Sequence, residues 1–248
     1  FNFEVVRSAQ GELIDPAATL TGALRGVALI PGTGEYGLAT TPVHYAFGPG
    51  QNRSANVHSP SGLTDFATSL AQLGEELPGV GSVSLVVSWF GSDLRCGFCQ
   101  VRPKVEQTTR DGVGMPWRAG GISRFAAMEV PRVSGASIYG GTPSDASVIE
   151  AIEAIRATGK EVVFYPFILM DQLDDNTLPD PWTGAGSQPK LPWRGRITLS
   201  AAPGLDGSTD RSDAAEAEVQ AFFGTAAPGH VTASGQTLSY SGPDEWSY

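Results

Sequence analysis

The sequence predicts an α/β fold, namely an incomplete (β/α) TIM-barrel-like domain with an additional N-terminal segment. Three observations favour it. An amphipathic helix leads into a mainly apolar stretch at Val83–Phe90, the stretch Tyr139–Asp171 has the pattern of strand, helix and strand, and a further helix is expected at Asp213–Phe223. Strands that alternate with helices in this order are typical of parallel sheets, in which the loops after the strands form the functional face.

Residues 1–60 differ from the rest and are interpreted as an N-terminal entry segment, followed by the TIM-barrel-like domain at 61–248. Short strands are expected at Phe3–Val6 and Val27–Ile30, separated by turns rich in Pro and Gly. The chain begins without Met, and its last residues resemble the start of a new element. We therefore expect it to be a piece of a longer polypeptide in which the barrel continues.

The first helix of the barrel-like domain is predicted from apolar spacing. Phe66, Leu70, Leu73 and Leu77 recur at intervals of three or four residues, and Pro78 ends the pattern. The mainly apolar stretch Val83–Phe90 that follows predicts a buried strand.

The stretch Tyr139–Asp171 predicts a complete βαβ unit. Thr142 is the expected N-cap and Pro143 the first helical residue, so a helix is predicted over about Ser144–Thr158. Gly159 ends this helix, and a strand covered on both faces is predicted at Glu161–Phe167. The residues from Pro166 to Asp171 would then line a site.

Charge and hydropathy exclude several classes of function. The 248 residues include 16 basic and 26 acidic side chains, which gives a net charge of -10. Nucleic acids and anionic membranes select clustered positive charge, so recognition of either is not expected. No apolar run approaches the roughly 20 residues of a transmembrane helix, so no membrane span is predicted.

Aromatic side chains occur repeatedly near the predicted strand ends and loops. They include Trp89, Tyr139, Phe167, Trp182 and Trp193. Sugars stack their C–H faces on such rings and bond their hydroxyls to polar neighbours, so these residues are candidates for binding a glycan or a protein partner. The alternative is that the rings fill the core or fix a long loop.

Carboxylates after the predicted strands are candidates for glycoside hydrolysis, which needs two carboxyl groups about 5–10 Å apart. Asp93, Asp171 and Glu245 fit by position alone. The alternative is that they cap turns, as loop aspartates commonly do. No serine-hydrolase, zinc-protease or phosphate-binding motif occurs in the chain.

Cys96 and Cys99 form the one C-x-x-C pair. Such a pair can bind zinc, form a redox disulfide or remain as two loop thiols. Zinc is a weak interpretation, because no second cysteine pair occurs and the three histidines are isolated. A structural role, as thiols or as a disulfide, is favoured, and no cofactor is expected.

The segment Asp171–Arg196 is predicted to be a long loop stiffened by prolines. Loops of this length usually have a function, here glycan recognition or contact with another subunit. We expect it to lie beside the loop that contains Trp89, Asp93 and the cysteine pair, because both follow strand ends.

Five segments resemble a known family. They are VVRSAQGELIDPAATLTGALRGVALIPGTGEYGLATTPVHY, VSLVVSWFGSDLRCGFCQVRPKVE, YGGTPSDASVIEAI, FYPFILMDQ and LPDPWTGAGSQPKLPWRGRITLS. They resemble the glycoside-hydrolase-like TIM-barrel region of the large tail-tip proteins of gene transfer agents and related siphophages, which are labelled host specificity or megatron proteins. In that family the barrel continues beyond the segment that matches the end of this chain, into strands expected to carry a glycosidase glutamate.

This resemblance implies a component of a virion tail tip or baseplate that acts at the bacterial cell envelope. The implied partners are other baseplate proteins and an envelope glycan, in a homo-oligomeric assembly. Three functions stay open: a structural component that engages the host, an active glycosidase on envelope polysaccharide or peptidoglycan, and a non-catalytic carbohydrate-binding module. The chain alone is predicted not to hydrolyse glycan, because its acid pair is incomplete.

Overall fold

The computed structural model describes residues 19–31, 34–234 and 237–242. The described part has four α-helices: α1 (Leu20–Ala23), α2 (Asp65–Glu76), α3 (Asp145–Ala157) and α4 (Asp213–Phe223). Its strands are β1 (Gly26–Leu29), β2 (His44–Gly48), β3 (Gln51–Ser54), β4 (Ser82–Gly91), β5 (Val101–Arg102), β6 (Lys104–Val105), β7 (Arg118–Ala119), β8 (Ile122–Ser123), β9 (Met128–Glu129), β10 (Arg132–Val133), β11 (Ala136–Ser137), β12 (Glu161–Met170), β13 (Val231–Ser234) and β14 (Thr237–Tyr240).

The largest sheet contains four strands. Its order is β1-β4-β12, with β5 paired to the end of β4. Strands β1 and β4 are parallel, from Gly26 opposite Ser82 to Leu29 opposite Leu85, whereas β5 is antiparallel to β4. The other described strands form two-stranded sheets, of which β6-β9 is parallel and the remaining four are antiparallel hairpins.

The TIM-barrel prediction is wrong, because the described residues form a mixed α/β structure of small separate sheets with no closed barrel. The expected βαβ unit fails at its first strand. Before α3 the chain forms the β10-β11 hairpin, turning through Ser134 and Gly135 at positive φ, and β11 does not join the largest sheet. The turn residues therefore decide the local pairing, and the segment closes on itself.

The three long helices are found where apolar spacing predicts them. Thr64 caps α2 by accepting a hydrogen bond from the Ala67 N–H, and α2 buries Phe66 and Leu70. The predicted cap of α3 is wrong, since the hydroxyl of Ser144 accepts from the Ser147 N–H. Helix α4 ends at Gly224, whose positive φ suits a glycine C-cap.

Strand β12 begins at Glu161 as predicted but runs to Met170, three residues beyond the predicted end, and it is not covered on both faces. Val163 and Phe164 are each 51% exposed and Tyr165 is 39% exposed. The reason is its place at one edge of the sheet order β1-β4-β12. Only its last residues are buried, among them Ile168 and Met170. The strand predicted at Val27–Ile30 corresponds to β1, and the one predicted at Phe3–Val6 lies outside the described residues.

The chain divides into two compact units. The described residues of Phe1–Val87, Thr108–Ala126 and Pro143–Pro166 belong to the first unit, and those of Ser88–Gln107, Ala127–Thr142 and Phe167–Tyr248 belong to the second. Throughout the described residues, every helix is too short or too polar to cross a membrane.

The first unit is built around a buried arginine. Arg124 is fully buried and its guanidinium contacts the carboxylates of Glu35, at 2.9 Å, and Asp111, at 3.0 Å. It also donates to the hydroxyl of Tyr36. Burial opposes the charge on Arg124, but the bonds to Glu35 outweigh it and the pKa of the guanidinium is raised. An arginine with all these partners stabilises a fold and has little capacity left for a ligand.

Candidate functional site

The candidate site residues from the sequence lie in the second unit, apart from Glu245, which falls outside the described residues. Within this unit the Asp171–Arg196 loop does lie beside the loop that follows β4. The amide oxygen of Gln188 accepts from the Leu94 N–H at 3.0 Å, and the Cys96 N–H donates to the Thr198 carbonyl at 2.7 Å. The expected meeting of the two loops is confirmed.

Asp93 is the centre of the contact between these loops. One carboxylate oxygen accepts from the backbone N–H and Nε of Arg95 and from the amide of Gln188, and the other accepts from Arg95 Nη2 at 2.7 Å. Burial opposes ionisation of Asp93, but these hydrogen bonds outweigh it and hold the pKa of the carboxyl below its usual range. Asp93 is thus ionised, and both of its carboxylate oxygens accept hydrogen bonds. It anchors the two loops to each other.

Asp171 is bound very differently. It is 5% exposed, and one of its oxygens lies 2.6 Å from the ammonium of Lys104, which is 7% exposed. Among the described residues, this is the only hydrogen bond of either side chain. The backbone of Lys104 is held by Thr142, whose hydroxyl accepts from the Lys104 N–H and whose N–H donates to the Lys104 carbonyl.

Two aromatic rings stand near this ion pair. The Lys104 ammonium is 6.0 Å from the centre of the Phe90 ring, and the rings of Phe90 and Tyr139 are 6.2 Å apart. Tyr139 is partly buried. Burial, together with the negative charge of Asp171, raises the pKa of its phenol, so the hydroxyl stays protonated at neutral pH.

Gln172 follows Asp171 and is 6% exposed. Neither its amide nitrogen nor its amide oxygen has a hydrogen-bond partner in the described structure, although its backbone carbonyl accepts from the Leu191 N–H. Leaving a buried polar group unpaired costs about 1–3 kcal/mol, and native folds rarely do so. Lys104, Tyr139 and Asp171 are called the Asp171 cluster below.

Trp182 and Trp193 form an exposed aromatic pair in the proline-rich loop. Trp182 is 40% exposed and Trp193 is 70% exposed, which confirms the expected partial exposure. The indole N–H of Trp182 donates to the Arg196 carbonyl at 2.6 Å. The Trp193 ring lies against Gly195, where a Cβ would overlap the ring. Both rings are therefore fixed by the loop and still open to solvent.

Asp180 holds the turn that carries Trp182. Its carboxylate accepts from the Trp182 N–H at 3.0 Å and from the Thr183 hydroxyl at 2.8 Å. Asp180 is buried, and its backbone N–H donates to the Ala185 carbonyl. This is an Asp-initiated turn, which presents a loop side chain in a defined direction.

The other two aromatic candidates are already engaged. Trp89 packs against the buried cluster that includes Leu94, Cys99 and Met170. Phe167 has the guanidinium of Arg194 over its ring, 3.7 Å from the centre. The interpretation of core-filling aromatics thus applies to Trp89, while Phe167 is covered by a cation–π contact.

Cys96 and Cys99 are buried free thiols. Burial raises the pKa of both, so they are protonated and poorly nucleophilic at neutral pH. The described residues contain no group of three or more His, Cys, Asp and Glu side chains placed to hold a metal ion. Of the possibilities left open, the arrangement fits two structural thiols.

Sequence reasoning missed Lys104 and Gln188. Each contacts its aspartate across a long separation, 67 residues for Lys104 and 95 for Gln188. The one available signal was the lysine between Val101 and Val105, in a segment apolar enough to be buried. A buried lysine needs a carboxylate partner, which makes Asp171 a natural candidate.

Comparison with known proteins finds no protein-family model that matches the chain and no curated protein that matches it. The function is therefore inferred from the side chains above and from the resemblance of the sequence segments.

Proposed function

We propose that this chain is a non-catalytic, glycan-engaging component of a phage-like tail tip or baseplate that acts at the bacterial cell envelope. The observation that carries the glycan-binding role is the pair of exposed tryptophans, Trp182 and Trp193, held on a stiff loop. The tail-tip location and its baseplate partners are supported by the resemblance of the five sequence segments to the tail-tip proteins of gene transfer agents.

The tryptophan pair suits carbohydrate for physical reasons. A sugar presents flat patches of C–H groups, which stack on an indole ring, and a rim of hydroxyls that bond to polar neighbours. The rings are fixed before binding by the Trp182–Arg196 hydrogen bond and the Trp193–Gly195 contact. Little conformational entropy is then lost when a glycan binds.

The same unit gives little support for glycosidase chemistry. A general acid needs a carboxyl that stays protonated near neutral pH, whereas the pKa of Asp93 is held low. One oxygen of Asp171 is already occupied by the ammonium of Lys104, at 2.6 Å, and both side chains are buried. Neither aspartate is placed to act as the acid, so binding without turnover is the better proposal.

The test of glycan binding uses the purified chain with polysaccharide and peptidoglycan fragments from bacterial envelopes. We expect Trp193→Ala and Trp182→Ala each to weaken binding by about 1–3 kcal/mol, with Tm nearly unchanged for Trp193→Ala, whose ring is mostly exposed. Phe125→Ala is the matched control, because Phe125 is 65% exposed and lies in the first unit.

Equal binding by all three variants would overturn the role of the tryptophan pair. Release of reducing sugar by the purified chain, lost on Asp93→Asn or Asp171→Asn, would overturn the non-catalytic part. The tail-tip location is tested separately, by immunogold labelling of purified particles, and label along the whole tail or on the capsid would contradict it.

A further inference from the structure

Arg196 is a cation beside the tryptophan pair whose hydrogen-bond donors are unused. Its side chain is 37% exposed, and its guanidinium makes no hydrogen bond to any residue that the structure describes. The carboxylate of Asp180 lies 3.9 Å from the guanidinium, which is too long for a hydrogen bond. The five N–H donors of this guanidinium are therefore open to a ligand.

The guanidinium lies next to an exposed ring that is proposed to hold a sugar. Its central carbon is 5.9 Å from the centre of the Trp182 ring, and Trp182 is itself 40% exposed. A sugar stacked on this indole would bring its substituents within reach of Arg196. The ring and the cation can thus contact the same ligand.

The segment that carries both tryptophans is locally basic in an acidic chain. Residues 181–205 contain three basic side chains, Lys190, Arg194 and Arg196, and no acidic one, although the whole chain has a net charge of -10. Lys190 pairs with Asp174 at 3.2 Å, but the Asp174 side chain is 75% exposed. An ion pair this exposed contributes little stability, so a charged ligand can replace it.

We propose that the ligand of the tryptophan pair is an acidic glycan, and that Arg196 binds its carboxylate or phosphate groups. The inference rests on the proposed function, since it concerns the same surface and the same class of polymer, and it adds the charge of the ligand. A guanidinium donates two parallel hydrogen bonds to a carboxylate or a phosphate. A neutral sugar offers no group that matches this fork.

The negative charge of the whole chain does not oppose this choice at close range. Charges separated by more than about 8 Å are largely screened at physiological ionic strength, so a bound acidic group responds mainly to nearby side chains. Asp180 is 5% exposed, and its oxygens already accept from the Trp182 N–H and the Thr183 hydroxyl. Arg196 therefore presents the more accessible charge of the two.

Arg196 can be changed without releasing the ring beside it. The hydrogen bond that fixes Trp182 goes to the backbone carbonyl of Arg196, so it survives replacement of the side chain. Arg196→Gln should therefore remove the charge and leave Tm nearly unchanged. Arg156→Gln is the matched control, because Arg156 is an exposed arginine on α3, in the first unit.

The test uses pairs of polymers that differ mainly in charge. The purified chain is titrated by isothermal titration calorimetry with polygalacturonate and its methyl ester, which test a carboxylate, and with phosphorylated and unmodified dextran, which test a phosphate. We expect at least one acidic polymer to bind about tenfold or more tightly than its neutral match, because hydrogen bonds to charged groups are the stronger ones. This preference should shrink as NaCl is raised from about 50 to about 500 mM.

Arg196→Gln should abolish the preference and leave binding of the neutral polymer as it was, whereas Arg156→Gln should preserve the preference. Equal binding of acidic and neutral polymers by the wild-type chain would overturn the inference. A preference that survives Arg196→Gln would overturn it as well.

The proposed function and this inference fail separately. Polysaccharide binding that depends on Trp182 and Trp193, but not on the charge of the polymer, supports the tryptophan pair and overturns the acidic ligand. Binding of an acidic polymer that depends on Arg196, but on neither tryptophan, supports the contact between Arg196 and the acidic group and overturns the tryptophan pair.

Discussion

Asp93 and Asp171 each follow a long strand of the sheet, β4 and β12, and each is buried beside a cation, yet their hydrogen bonding differs sharply. Asp93 accepts from Arg95 through three donors and from Gln188, so both of its oxygens are engaged. Asp171 accepts one hydrogen bond, from Lys104. Burial and charge are alike at both positions, so they do not distinguish an anchor from a site. The number of hydrogen-bond donors and acceptors left unused does distinguish them.

The neighbouring glutamines repeat the contrast. Both atoms of the Gln188 amide are paired, with Asp93 and Leu94 among their partners, whereas both atoms of the Gln172 amide, next to Asp171 in sequence, have no partner in the described structure. The unpaired amide of Gln172 lowers the stability of the fold at that position. Such losses are typical of places that bind ligands.

The largest expected effect is on the anchor. Asp93→Ala should lower the free energy of unfolding by about 3 kcal/mol or more, because it leaves the partly buried guanidinium of Arg95 and the buried amide of Gln188 without their acceptor. Urea denaturation followed by circular dichroism measures it. The control is Asp174→Ala, at a surface pair with Lys190, which should cost less than about 1 kcal/mol. Equal losses in the two variants would show that Asp93 is no anchor.

A smaller effect is expected at Lys104. Lys104→Met leaves one buried carboxylate without its only partner and should cost about 3 kcal/mol. Replacing both members, as Lys104→Met with Asp171→Leu, should recover most of that loss, because within the described residues neither side chain makes another hydrogen bond. The matched double variant of Asp93 and Arg95 should recover much less, since Gln188 still loses its acceptor. Similar recovery in the two double variants would show that Asp93 and Asp171 do not differ in how their hydrogen bonds affect stability.

The pH dependence of stability should follow the anchor. The pKa of Asp93 is below its unfolded value of about 3.9, so its contribution is fully present above that pH and is lost as pH falls through the folded pKa. Asp93→Asn should therefore flatten the fall in stability below about pH 4, measured by urea denaturation at several pH values. An unchanged slope would mean that Asp93 has the same pKa in the folded and unfolded states.

The sequence predicts the local elements of this fold well and its closure badly. Helices α2 and α3 follow from apolar spacing, which acts within a few residues, although Ser144 and not the predicted Thr142 caps α3. The barrel required a long strand before α3, but Ser134 and Gly135 turn that segment into a hairpin. Strand pairing depends on distant residues and on turn geometry, so periodicity alone did not determine it.

The candidate site shows the same division between local features, which the sequence predicts, and contacts between distant residues, which it does not. Asp93 and Asp171 were identified because both follow strands, which is a local property. Their partners Gln188 and Lys104 lie 95 and 67 residues away, and no local pattern connects them. What makes Gln172 notable is a partner that it lacks, which only the folded structure can show.

The smallest expected effect concerns the thiols beside the anchor. Cys99 is buried, and burial raises its pKa because it outweighs the opposing hydrogen bonds from the backbone N–H groups of Asp93 and Ser92. In the native protein, iodoacetamide at pH 8 should therefore label Cys96 and Cys99 far more slowly than in urea. Adding dithiothreitol should leave Tm unchanged, because both cysteines are free.

Thiol labelling also separates the two regions. Asp93→Ala should increase the labelling rate, because loss of the anchor favours local opening of the loop that carries the cysteines. Lys104→Met should leave the rate near that of the wild type, even though it also destabilises the protein, because it acts on the Asp171 cluster. Mass spectrometry of alkylated samples taken over time gives both rates under native conditions. Equal acceleration in the two variants would show that the thiols report global unfolding, and that the loop has no separate stability of its own.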